Sequence, residues 1–278
     1  MAAPVMPRER PLADGDLVSW MAGTQLLARA VSVLLYLRER EEPVTVGELA
    51  GALKVPANTV YRIVRTLEMG GLVDRSNRPY VSLGLRLMDL GQAKQRQVTR
   101  ELAPIAMPVL EALTAATGET SLLVMPTGAR AICIFAVEPS RAIRLSYQPG
   151  RVFPLYAGAS GKVLLPWLSA QLVETALAQG DGQRLATGDV LTAAGLQKQI
   201  ELIREAGHCV THGELDAGVS AVAAPIFGRG GQIFAAISLA GPETGFTPVR
   251  LPEFIELVRA AAAETGRGLS MRTAEERS

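Results

Sequence analysis

The stretch from Val44 to Leu83 constrains what this chain can become more than any other part of it. Thr45 followed three residues later by Glu48 is the signature of a capping box, so a short helix is expected to start there and end near Leu53. Lys54-Val55-Pro56 then forces a tight turn, and Ala57 or Asn58 opens a helix that runs to about Met69 before Gly70-Gly71 stops it. Two strand-like pieces follow, Leu72 to Arg75 and Tyr80 to Leu83, joined through Ser76-Asn77-Arg78-Pro79. Upstream, Leu26, Leu27, Ala30, Val31, Leu34, Leu35 and Leu37 recur at helical spacing and predict a helix over about 24–39 that ends before Pro43. Helix, short helix, turn, helix and a two-stranded wing make a winged helix-turn-helix.

Chemistry follows from the third helix. Val60, Ile63, Val64 and Leu67 share one face, leaving Ala57, Asn58, Thr59, Arg62 and Arg65 on the other with Tyr61 alongside. A helix start of this kind fits a major groove, where Asn and Arg can make bidentate contacts to adenine and guanine edges. Thr59 and Tyr61 suit phosphate or methyl contacts, and Arg75 and Arg78 would bring charge from the wing to the backbone or minor groove. The net charge is only +1, but residues 54–100 hold nine Lys/Arg against three Asp/Glu, while the remainder holds nineteen against twenty-four. A basic head beside an acidic body is the asymmetry expected when one module meets phosphates. A winged helix used only for protein contacts is the alternative.

The rest of the chain reads as a different kind of module. Residues 1–20, rich in Pro, Asp and Gly, are expected to form a disordered arm, and the winged domain to span 21–83. A connector helix over 84–98 is expected next, then a second helix over about 99–116 ended by Gly118. Apolar β-rich runs follow at Ser121 to Met125, Arg130 to Val137 and Ile143 to Tyr147. A Gly-rich segment, Gly158 to Lys162, should open a helix ending near Leu168, and another helix should span about 192–206. Strands are expected at about 208–212, 219–227 and 232–240, the last two joined through Gly230-Gly231, and a terminal helix at about 248–271. The fold class is thus multi-domain, an α-rich winged helix-turn-helix plus an α+β domain over 99–278.

Several function classes lose ground on the same residues. Cys133 and Cys209 lie far apart in apolar surroundings, which favours free thiols and a cytoplasmic setting. The first residues lack the apolar run of a signal peptide, and no apolar stretch approaches the roughly 18 residues of a membrane span. Gly158-Ala159-Ser160-Gly161-Lys162 approaches a nucleophile elbow, but Lys162 stands where the motif needs glycine. A phosphate loop would need glycine at Tyr156 and a hydroxyl at Val163. His208, Cys209 and His212 form the one metal-like cluster, yet in a strand Cys209 points away from the two histidines. No metal, cofactor or catalytic role is expected. A small-molecule enzyme with an accessory winged helix is the reading kept as the alternative.

The chain resembles the IclR family of bacterial regulators from about Thr24 to Ser270. The similar pieces are Ala28-Arg29-Ala30-Val31, Val55 to Gly71, Leu83 to Leu87, Leu102 to Gly118, Gly161-Lys162, Gly218 to Ile226 and Ala236 to Pro242. The resemblance implies an effector domain with a GAF-like fold, dimers or tetramers, and near-palindromic double-stranded operator DNA. It places a small-molecule effector, an organic acid, near Ala159, Ser160 and Gly161, whose backbone N–H groups suit an anion. Thr211 or His212, Ala221, Ser238 and Ala240 would line the facing strands. Alanine at 221 and 240, where relatives that bind carboxylates often carry polar side chains, points to a less polar pocket for an aromatic or larger acid. Phe153, Leu155 and Tyr156 are candidate apolar walls. The wing departs from the family pattern: Ser76-Asn77-Arg78-Pro79 stands where an acidic-Gly pair is frequent, and Pro79 fixes φ and removes a donor.

Overall fold

A computed structural model of the chain describes residues 24–141 and 144–275. The arm expected at 1–20 lies outside them. The chain divides into two compact units between Gln97 and Val98.

In the first unit, α1 (Gln25–Arg38) precedes β1 (Val44–Thr45), α2 (Val46–Leu53) and α3 (Ala57–Met69). The wing is β2 (Val73–Asp74) and β3 (Tyr80–Leu83), with β3 between β1 and β2 in an antiparallel sheet. The capping box forms: Thr45 Oγ1 accepts from Glu48 N–H while Thr45 N–H donates to Glu48 Oε2. Lys54 closes α2 in the left-handed conformation (φ 52°), which turns the chain sharply into α3. Val33, Leu49, Val60, Val64 and Val81 are fully buried and form the centre of this unit's core. Burying aliphatic side chains of this size contributes about 1.5–3 kcal/mol each.

The connector and the helix after it are one element, α4 (Arg86–Thr117), not the two helices expected. Pro104 and Pro108 lie inside it. Each removes an N–H bond and crowds the carbonyl four residues back, but Leu102, Ala106, Val109, Leu110 and Leu113 recur at helical spacing through that region and hold the helix on the core.

The second unit is built on β4 (Thr120–Thr127), β5 (Arg130–Val137), β6 (Val152–Pro154), β7 (Cys209–His212), β8 (Val219–Phe227) and β9 (Ile233–Pro242). These six strands lie antiparallel in the order β6-β5-β4-β9-β8-β7. Among the helices, α5 (Ala159–Lys162), α6 (Ala170–Gly180) and α7 (Ala193–Ala206) precede β7, and α8 (Leu251–Glu275) ends the described chain. One sheet face packs on α4 and α8 through Leu123, Val222, Ile226, Ile237 and Leu239. The other packs on α5, α6 and α7 through Leu122, Ala223 and Ala236. Strand alternation separates these two sets.

Two departures from the sequence reading concern this second face. Residues 144–148 form no strand; the outer edge of β5 is taken by β6, which the sequence reading lacked. Leu145 is instead tied by its carbonyl to Thr120 Oγ1 (2.6 Å). Helix α6 was also missing, although Leu172 and Ala176 carry the i,i+4 apolar pair that buries it.

Candidate DNA-reading face and effector cavity

Helix α3 is sharply two-sided. Val60, Ile63, Val64 and Leu67 are buried, while Ala57, Asn58, Tyr61, Arg62 and Arg65 are exposed and Thr59 is half-buried. Its polar face is held in place from behind. Arg75, at the end of β2, is only 8% exposed; its guanidinium lies 5.1 Å from the Tyr61 ring centre and 3.6 Å from Glu68 Oε2. Arg75 is therefore not the exposed wing cation the sequence suggested, because Tyr61 and Glu68 of α3 draw it inward. Arg78 does remain exposed, 3.9 Å from Glu68. The wing turn is closed by Asp74, whose Oδ1 accepts from Ser76 N–H (2.8 Å), and the Arg78-Pro79 bond is cis.

In the second unit a row of small residues lies under α5. Register pairs Thr211 with Ala221, Ala221 with Ala240 and Ala223 with Ser238, so these side chains share the α5-facing side of the sheet. With no bulk there, α5 drops close to the strands. Ser160 Oγ and Ser238 Oγ are 2.8 Å apart, both buried, and Ala159 N–H donates to Thr211 Oγ1 (3.1 Å). Gly161 permits this approach: a Cβ on it would stand 2.2 Å from Pro154 O. Beside α5 lies a cavity lined by Tyr147, Phe153, Ala159, Ser160, Thr211, Ala221 and Ala240, and closed by Glu214, Leu215 and Asp216.

Most of the expected effector residues are thus gathered at one place. Three are not lining groups. Gly161 is packing, Ser238 sits behind Ser160, and His212 points to the opposite face, where Nδ1 is 2.8 Å from Ser220 Oγ. Of the proposed walls only Phe153 lines the cavity; Leu155 is fully buried core and Tyr156 packs on Gly180. The open backbone anion site is also altered. Gly158 N–H donates to Glu214 Oε2 (2.9 Å), and Lys162 Nζ, 1% exposed, donates to Glu214 Oε1 (2.6 Å). The protein's own carboxylate stands where an anion was expected.

Titration is suppressed around this cavity. Burial pushes the Tyr147 phenol up to about 12, with Asp216 adding to the effect, and burial lifts the Cys209 and Cys133 thiols to about 12. The site offers hydroxyl donors and acceptors, not a ready nucleophile.

A matching family model, "Bacterial transcriptional regulator IclR C-terminal", covers residues 96–267, and "IclR helix-turn-helix domain" covers 26–76. The HTH-type transcriptional regulator KipR of Bacillus subtilis is 32% identical over 234 residues, spanning 84% of this chain and 93% of its own.

The chain belongs to the IclR family.

It is accordingly a ligand-responsive transcriptional regulator with a helix-turn-helix domain and an α+β domain of GAF-like character. Two solved IclR structures share the fold. One, from Silicibacter sp. TM1040, has a TM-score of 0.71 at 24% identity and covers 89% of this chain and 95% of its own. The other, an IclR homolog of Microbacterium hydrocarbonoxydans complexed with 4-hydroxybenzoate, has a TM-score of 0.60 at 22% identity, covering 88% and 98%. Within this IclR chain, sequence reasoning missed Tyr147, Glu214, Leu215 and Asp216 as parts of the cavity, and Lys162 as the buried partner of Glu214. Glu214 and Asp216 had a signal, two acids in a Gly-bounded turn beside His212, but only register shows that they fold over α5.

Proposed function

We propose that this chain is a homo-oligomeric regulator that reads near-palindromic operator DNA through α3 and its wing, and releases or tightens its grip when a small organic acid enters the α5 cavity. The observation that carries the reading is the exposed Asn58, Tyr61, Arg62 and Arg65 face on a helix whose other face is fully buried. Ala57 and Thr59 border that face, and Arg78 extends it; Arg75 acts by holding it. The exposed apolar side chains Leu26, Leu27 and Val31 of α1, Leu85 just before α4, and Met88 and Leu90 in its first turns support self-association.

The effector class is an acid of modest size, aromatic rings included. Tyr147 and Phe153 offer edges and faces to a ring, and the Ser160 and Thr211 hydroxyls offer hydrogen bonds. Lys162 and Arg151 are paired with Glu214 and Asp216, and become available to an acid only when those carboxylates move away. The 4-hydroxybenzoate complex of the Microbacterium homolog favours the aromatic members of that class. An enzymatic role is disfavoured because Ser160 faces Ser238 rather than a base. A regulator of this kind acts in the cytoplasm, where its DNA is.

Arg62→Ala tests the DNA-reading assignment. On duplexes from the DNA flanking this protein's own gene, it should weaken specific binding by about 1–3 kcal/mol while leaving nonspecific binding nearly unchanged. Equal affinity of wild type and variant would remove α3 as the reading helix. For the cavity, thermal shifts with 4-hydroxybenzoate and with aliphatic acids should reveal a stabilising member, since ligand at 100 times its Kd adds about 2.7 kcal/mol. Ala240→Val should abolish that shift and keep DNA binding.

A further inference from the structure

The cavity beside α5 is too narrow for a ligand as it stands. It holds about 20 Å³ of open space, room for a single water, so no ring-bearing acid enters unless a wall moves. Most of its walls are anchored. The floor is the β9-β8-β7 side of the sheet, α5 is pinned by the Ser160–Ser238 and Ala159–Thr211 bonds, and Tyr147 and Phe153 pack edge to face (5.6 Å between ring centres). The remaining wall is the β7–β8 loop. Among the described residues its backbone is tied to the body only at Glu214 O, which accepts from Ala186 N–H (3.0 Å), and at Gly218 O, which accepts from Glu243 N–H (2.9 Å).

Three successive side chains of that loop close the cavity, and each meets a different part of it. Leu215 lies directly on Gly158: a Cβ there would stand 2.4 Å from Leu215 Cδ1. Asp216 Oδ2 accepts from Arg151 (3.0 Å) and lies 3.4 Å from the Tyr147 hydroxyl. Glu214 bonds Gly158 N–H and Lys162. The loop is bounded by Gly213 (φ 62°) and Gly218 (φ 74°), both in the left-handed region, where glycine lets the chain pivot at little cost.

We propose that residues 213–218 are a hinged lid over the effector cavity, with Leu215 the plug that an entering ligand displaces, Asp216 the outer latch and Glu214 the inner one. This rests on the cavity being the effector site, and it adds the step that sets its apparent affinity. A ligand that binds only the open form is weakened by the fraction of molecules that are open. The outer latch, with Arg151 and Asp216 side chains 39% and 40% exposed, is the weak one. The inner latch is buried, and it keeps the lid from opening freely.

The test reads lid opening in the full-length protein with no ligand present, so its failure leaves the effector assignment standing. A thiol placed under the lid by Ala240→Cys is labelled with iodoacetamide, while hydrogen exchange follows the Gly213 and Val219 amides, which close the loop by bonding Val219 O and Asp216 O. In that background Asp216→Asn should speed both readouts about two- to fivefold, and Leu215→Ala should speed labelling more than tenfold. Amides of Val222 and Ile226 in the sheet should keep their wild-type rates. Unchanged labelling and exchange in both variants would overturn the lid. So would acceleration of loop and sheet amides by the same factor, because that is whole-domain loosening. Conversely, loss of ligand response in a protein whose lid opens as described would sink the effector assignment alone.

Discussion

Replacing Lys162 and Glu214 singly and together gives the sharpest test of how this cavity is held. The Lys162 side chain is 1% exposed, Glu214 is 14% exposed, and their charged atoms are 2.6 Å apart. Breaking a buried pair by removing one partner costs about 3–5 kcal/mol, because the other charge stays buried without compensation. Lys162→Met should fall near the lower end, since Glu214 keeps the Gly158 N–H bond and some solvent. Glu214→Gln should cost a similar amount by stranding the lysine. The double variant buries no charge, so its cost should fall below the sum of the single ones by about 3 kcal/mol, the coupling of the pair. Urea unfolding measures this. Trp167, in edge contact with Phe227, reports the second unit alone once Trp20→Phe removes the other tryptophan. At a slope of about 1–3 kcal/mol per molar urea, each single change should move the midpoint by 1 M or more. Additive single and double effects, or single losses below about 1 kcal/mol, would show that the pair does not act as a buried unit.

Gly161→Ala puts a Cβ 2.2 Å from Pro154 O, a backbone atom that cannot swing aside, so it should cost about 1–3 kcal/mol and lower Tm by about 2–4 °C for each of them. Calorimetry showing no change would mean that α5 is not packed as described. Arg75→Met should lower DNA affinity alike on specific and random duplexes, by loosening Tyr61 and Glu68 rather than by losing a base contact; Arg62→Ala instead hits specific sites. A sequence-selective loss from Arg75→Met, read by fluorescence anisotropy, would contradict that role. Burial pushes the Glu119 carboxyl above its usual range despite Arg141 and Arg250 beside it. A carboxyl raised in the folded state binds more protons there than when unfolded, so stability should fall as pH rises from about 4.5 through the folded-state value. Glu119→Gln should remove that part of the slope in urea midpoints measured across pH; an unchanged slope would refute it.

Much of the DNA-reading unit was legible because its signals are local. A capping box, an apolar stripe and a glycine stop act over three to seven residues, and each depends on backbone geometry that neighbours in sequence determine. The strands β7, β8 and β9 were legible for the same reason, since alternation and a glycine hairpin are written along the chain. Arg75 was not, because nothing in its own neighbourhood says that Tyr61 and Glu68, one element back, pull its charge inward. The joining of two expected helices into α4 was not legible either: the expected break near residue 98 has no local breaker, Pro104 and Pro108 both lie in the second expected helix, and the apolar face packed on the sheet outweighs their local penalty. Long-range packing alone decided the cavity. Sequence pointed to Ala159, Ser160, Thr211, Ala221 and Ala240 by resemblance, but only the sheet register and the docking of α5 on the strands make them neighbours. The side-chain contacts by which Glu214, Leu215 and Asp216 meet Tyr147, Arg151, Gly158 and Lys162 span more than fifty residues of sequence. Bonds across such spans exist only when the whole sheet is assembled, and they turn an open anion site into a closed and latched one.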